Sequence, residues 1–90
     1  MRIRWTPAAA ENLEQIKDYL TEHHQFTQST VLELYEAICS LKTYPMRGRP
    51  GREEGTRELV LPRLLYIVAY RVREESIEVL HIFHSAQSRP

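Results

Sequence analysis

Between Gly55 and His84 the chain reads GTRELVLPRLLYIVAYRVREESIEVLHIFH, and this stretch concentrates its β-forming residues, with seven of its eleven valines and isoleucines. Such residues suit a pleated, half-buried surface, so the segment predicts strands. Pro62 and the Glu74-Glu75-Ser76 cluster divide it into three: Thr56 to Leu61, Leu64 to Arg73, and Ile77 to His84. Steps this short join antiparallel neighbours, and a three-stranded meander follows. In the middle strand Val68, Tyr70 and Val72 alternate with Ile67, Ala69, Arg71 and Arg73. The first set is expected against the core, and the arginine-bearing set on an open face. The last strand does not sort this way. Ile77, Val79 and Phe83 share a side with His81, while Leu80 and Ile82 share one with Glu78 and His84.

The rest of the chain supplies a cover for that sheet. Met1 to Trp5 reads as a short first strand that ends at Thr6-Pro7, a capping threonine followed by a proline suited to the first helical position. Ala9, Leu13, Ile16 and Leu20 then form one apolar helical stripe, and Val31, Leu34, Ile38 and Leu41 form a second. The interruption at His23-His24-Gln25-Phe26 separates them, with Thr27 or Thr30 as the second cap and Thr30 with Glu33 at capping-box spacing. Two helices joined by a short polar step should form an antiparallel hairpin. The expected fold is α+β in two layers, a β-α-α-β-β-β order with the helical hairpin on a mostly antiparallel sheet. Because the hairpin returns the chain to its starting end, the first strand is expected to run antiparallel to its neighbour. Residues 46–55, rich in glycine and proline, read as a loop.

Ninety residues make one domain, residues 1–90, and no long apolar run or signal-peptide pattern is present. A cytoplasmic location, away from membranes, is the expectation. Cys39 is the single cysteine and reads as a small packing residue of the second helix. The net charge of zero conceals an asymmetry: residues 45–73 carry seven arginines (47, 49, 52, 57, 63, 71 and 73) against Glu53, Glu54 and Glu58, with no lysine. Guanidinium forks suit phosphate and carboxylate, so this belt points to an acidic or polyanionic partner; arginines paired with nearby glutamates are the alternative.

Metal binding is not expected, because His23 and His24 are adjacent and His81 and His84 would face opposite ways on a strand. Asp18, the one aspartate, lies on the outer side of the first helix and leaves no Ser-His-Asp arrangement. Metal-free RNA cleavage would need a base, an acid and cations, roles open to His84, Tyr70 and Arg57, Arg63 or Arg71.

Several local patterns occur in a telling order: Trp5-Thr6-Pro7-Ala8, Tyr44-Pro45-x-x-Gly48-Arg49, Gly55-Thr56-Arg57-Glu58-Leu59, Tyr66-Ile67-Val68-Ala69-Tyr70-Arg71-Val72 and Ile82-Phe83-His84-Ser85-Ala86-Gln87. Together they resemble the RelE/ParE superfamily of toxins from bacterial type II toxin–antitoxin modules. The resemblance implies one of two activities. RelE-like members cut mRNA on the ribosome and carry an arginine after the tyrosine that opens the corresponding strand; here that position is Ile67. A second RelE-like arginine falls at Gln87, and the His-Tyr close of the YoeB-type nucleases has Ser88-Arg89-Pro90 in its place. ParE-like members bind and poison DNA gyrase, and the Gly55-to-Leu59 and His84-to-Gln87 segments resemble that branch more closely. The resemblance thus implies a non-enzymatic toxin without a cofactor, with Arg57, Arg63, Arg71, Arg73, His84 and Gln87 toward the target. On the alternative nuclease reading Arg57, Arg63 and His84 would be catalytic, and a third reading is a degenerate member that binds its antitoxin without toxicity. Either branch implies a small ParD- or RelB-like antitoxin, for which an exposed strip of Ile67 and Ala69 bordered by Arg71 is the expected seat.

Overall fold

The computed structural model describes residues 1–23 and 27–86. Its elements are β1 (Arg2–Trp5), α1 (Pro7–Glu22), α2 (Thr27–Cys39), a 3-10 turn (Ser40–Lys42), β2 (Arg49–Pro50), β3 (Arg57–Leu61), β4 (Tyr66–Val72) and β5 (Ser76–His84). The strands form one sheet in the order β1-β5-β4-β3-β2, and the helices pack on one face of it. The α+β, two-layer expectation holds, with the meander β3-β4-β5 at the centre.

The direction of β1 departs from expectation: it pairs with β5 in parallel, Ile3 opposite Ile77 and Trp5 opposite Val79. The cause is β2, a two-residue strand inside the segment expected to be only a loop. Parity does hold for the first strand after the helices. β2 is antiparallel to β3, and β3, β4 and β5 then alternate, so β2 runs opposite to β1 and the extra pass reverses every later strand.

The unsortable alternation of β5 has a physical origin too. Ala69 pairs with His81 but Tyr70 pairs with Val79, which leaves Leu80 as an extra residue, a β-bulge. The bulge exchanges the two faces of the strand. Ile77 and Val79 point into the core before it, and Ile82 does so after it. Helix α1 serves the displaced backbone. Thr6 caps α1 by accepting from the Ala9 amide at 3.2 Å, while its hydroxyl donates to the Val79 carbonyl at 2.8 Å. Beyond the end of β1, Asn12 Oδ1 accepts from the Ile82 amide at 3.0 Å.

Both helical stripes are read correctly from spacing. Ala9, Ile16 and Leu20 of α1 are buried, with Leu13 packed against them. From the second stripe Leu34, Ile38 and Leu41 are buried, and Val31 is half-buried. α2 begins at Thr27, so Thr30 lies inside the helix and is not its cap; His24, Gln25 and Phe26 lie outside the described residues. Cys39 is a free, half-buried thiol.

The meander meets the helices through Tyr70, which is 0 % exposed. Its hydroxyl donates to the Pro45 carbonyl at 2.7 Å and accepts from the Gly48 amide at 2.9 Å. Gly48 is glycine for steric reasons: a Cβ there would lie 2.7 Å from the Tyr70 hydroxyl and 2.8 Å from the Glu58 carbonyl oxygen. One buried phenol thereby fixes the crossing from helices to sheet.

Candidate functional site on the open face of the sheet

Strand register lays out the face opposite the helices as rows. Val60, Ile67 and Phe83 form one; Glu58, Ala69 and His81 form the next; Arg71, Glu78 and Arg4 form a third. The face passes from apolar to charged along the strands. Arg73 joins the charged end, 3.7 Å from Glu78, and Arg4 stands 4.0 Å from the same glutamate. Arg71 and Arg73 thus occupy the open face, as the alternation of β4 predicts.

A cleft of about 300 Å³ opens at the middle of this face. Ala69, Leu80 and Phe83 give it apolar surface, Arg71 and His81 stand on the strands, and Arg52, Glu53 and Thr56 come from the loop before β3. Glu58 also lines it and is 4 % exposed, held by Arg49 through Nε at 3.3 Å and Nη2 at 3.0 Å. Desolvating a carboxylate is costly unless charge and donors compensate, which is the role of Arg49. Arg52, Arg71 and His81 make no hydrogen bond or ion pair with the described residues. Three groups able to donate to an anion therefore border one cleft without partners among the described residues.

The remaining arginines of the belt go elsewhere. Arg57 stands opposite Tyr70 on the core side, where Nε donates to the Gly48 carbonyl at 2.9 Å and Nη2 reaches the Met46 carbonyl at 3.4 Å. It braces the loop that Tyr70 anchors. Arg47 donates to Ser40 Oγ at 2.7 Å, and Arg63 pairs with Glu33 of α2. A belt continuous in sequence is divided between a loop brace, a helix contact and the open face.

The nuclease set does not converge. Arg57 pairs in register with Tyr70 and His84 with Tyr66, four residues apart along β4, about 13 Å. His84 meets Tyr66 edge to face at 5.6 Å, and its Nδ1 accepts from the Ala86 amide at 3.1 Å. Tyr70 is occupied structurally by its two hydrogen bonds. Burial, and after it the charge of Tyr19, raises the pKa of Tyr66 above the usual phenol value. Among the described residues no three His, Cys, Asp or Glu side chains gather in a metal-holding cluster.

The expected exposed strip needs correction at one position. Ile67 is only 7 % exposed and pairs across the strands with Phe83, which is 8 % exposed. Two large apolar side chains at adjacent positions shield each other on the open face, whereas Ala69 and Arg71 stay half-exposed. Gln87 lies outside the described residues. Sequence reasoning passed over His81, considered only as a metal ligand, and Glu58. Its one available signal was the broken alternation of β5.

Comparison with known proteins agrees with this architecture. A family model described as ParE toxin of type II toxin-antitoxin system, parDE, matches residues 3–89. A protein of Sinorhizobium fredii named as a toxin, Y4kP, is 38 % identical over 90 residues, 99 % of this chain and 93 % of that protein. Among solved structures, the chromosomal ParDE toxin–antitoxin system from P. aeruginosa superposes with a TM-score of 0.75 at 27 % identity, covering 93 % of this chain and 95 % of that one. The toxin–antitoxin complex RelBE2 from Mycobacterium tuberculosis shares the fold, with a TM-score of 0.69 at 22 % identity over 92 % and 95 % of the two chains. The helical hairpin on a five-stranded sheet, the family match across nearly the whole length and the toxin relative lead to one conclusion: the chain belongs to the ParE toxin family of type II toxin–antitoxin systems.

Proposed function

We propose that this toxin acts in the cytoplasm by binding DNA gyrase and inhibiting it, arresting growth, and that a cognate antitoxin neutralises it. The observation that carries this reading is the fate of the nuclease positions. Ile67 stands where a RelE-like nuclease has a cation, and it is buried against Phe83. Arg57 is committed to the Gly48 and Met46 carbonyls, about 13 Å along β4 from the row of His84, and Arg63 is committed to Glu33. A phosphorane would find no convergent acid, base and cation among these groups. Binding by a guanidinium-bearing face demands no such convergence, and Arg71 and Arg73 supply one.

Antitoxin capture has support from the same face. Ala69 and Arg71 flank the cleft half-exposed, so an acidic segment with small apolar side chains would meet both surface types. Addition of purified toxin to a gyrase supercoiling reaction should stop supercoiling, and adding the antitoxin should restore it. Supercoiling that persists at high micromolar toxin, together with cut transcripts in a translating extract by primer extension, would replace this reading with ribosome-dependent RNA cleavage.

A further inference from the structure

We infer that the open-face cleft is a binding site for a phosphate ester of a nucleotide or nucleic acid, with Arg71, Arg52 and His81 as its donors. The inference relies on the proposed function only for the choice of the open face as the working surface, and not on gyrase as the target. Its basis is the contrast in side-chain commitments. Arg49, Arg57, Arg63 and Arg73 each have an internal acceptor, whereas Arg71, Arg52 and His81 have none among the described residues. All three border the same cleft.

They also approach it from separate elements. Arg71 lies on β4, His81 on β5 opposite Ala69, and Arg52 on the loop that precedes β3. Arg71 is two residues along β4 from the position facing His81, about 7 Å. Donors converging from several sides match the tetrahedral array of phosphate oxygens; a planar carboxylate is served by one fork. The charged groups around them are Glu58, already engaged by Arg49, the exposed Glu53, and Glu78 opposite Arg71, which Arg4 and Arg73 approach. With Arg4, Arg49, Arg52, Arg71 and Arg73 counted against these three carboxylates, the surroundings are net positive. A volume of about 300 Å³ exceeds a bare phosphate and leaves room for the attached sugar over Ala69, Leu80 and Phe83.

Amide-resolved NMR titration of the full chain tests this, with a nucleoside monophosphate, pyrophosphate, acetate and a short single-stranded oligonucleotide as probes at low salt. Phosphate probes should shift the amides of Thr56, Ala69, Arg71 and His81, and acetate at equal concentration should not. Arg71→Ala should weaken the nucleotide at least tenfold and H81A several-fold, with Lys42→Ala, the same charge change on the exposed 3-10 turn, within twofold of wild type. A nucleic-acid source would bind more tightly than the mononucleotide and extend the shifts to Arg73, whereas a nucleotide source would show no gain from chain length. The proposal is overturned if the phosphate probes leave the cleft amides unmoved, if acetate matches them, or if K42A weakens binding as much as Arg71→Ala does. The spectra themselves report whether each variant is folded. Phosphate binding without gyrase inhibition would remove the gyrase reading and leave this one standing, and gyrase inhibition without phosphate binding would do the reverse.

Discussion

The two faces of β3 and β4 use the same residue types in opposite ways. On the helix side, Arg57 and Tyr70 are consumed by internal acceptors and donors around Gly48. On the open side, one residue along from Tyr70, Arg71 has no internal partner among the described residues. A single step along a strand separates a group that holds the fold together from one available to another molecule. Burial decides the outcome, since a desolvated polar group must be satisfied within the chain and a half-exposed one need not be.

The comparison is broken most severely at Tyr70. Tyr70→Phe would strand the Pro45 carbonyl and the Gly48 amide, at a cost of about 2–3 kcal/mol. In a domain of this size that lowers Tm by roughly 10–20 °C, measurable by circular dichroism; a shift under about 3 °C would mean that the loop finds other partners. Arg57→Ala removes the brace of the same loop and should cost about 1–2 kcal/mol, read from urea midpoints. If toxicity is lost in that variant while stability is untouched, Arg57 belongs to the working surface after all.

Much of this division lies beyond what the sequence displays. Helical stripes repeat every three or four residues, so Leu34, Ile38 and Leu41 are assigned to the core without knowledge of the sheet. The alternation of β4 likewise places Tyr70 inward and Arg71 outward. Partner choice is different. Arg57 and Arg71 are both arginines on predicted strands, and only the path of residues 46–48 brings carbonyls to one of them. The parallel pairing of β1 was hidden by β2, two residues with a proline, whose composition signals a loop. The bulge at Leu80 was visible as a failure of alternation, but locating the extra residue required the register with β4.

A smaller effect should appear at alkaline pH. Burial raises the Tyr66 pKa in the folded state, so above about pH 10 the unfolded chain loses this proton first and stability falls as pH rises. Tyr66→Phe should flatten that part of the stability profile between about pH 9 and 11, and an unchanged profile would show that the phenol does not report burial. Smallest of all is the effect of Arg71→Ala on stability, expected within about 0.5 kcal/mol of wild type because no hydrogen bond or ion pair among the described residues is removed.

The most direct measurement is growth on induction of Arg71→Ala in the absence of antitoxin, with soluble protein quantified alongside. Cells should keep dividing while the variant accumulates to the level of the wild-type toxin. Undiminished arrest at that level, or a variant that fails to accumulate because it no longer folds, would contradict the separation of the two faces.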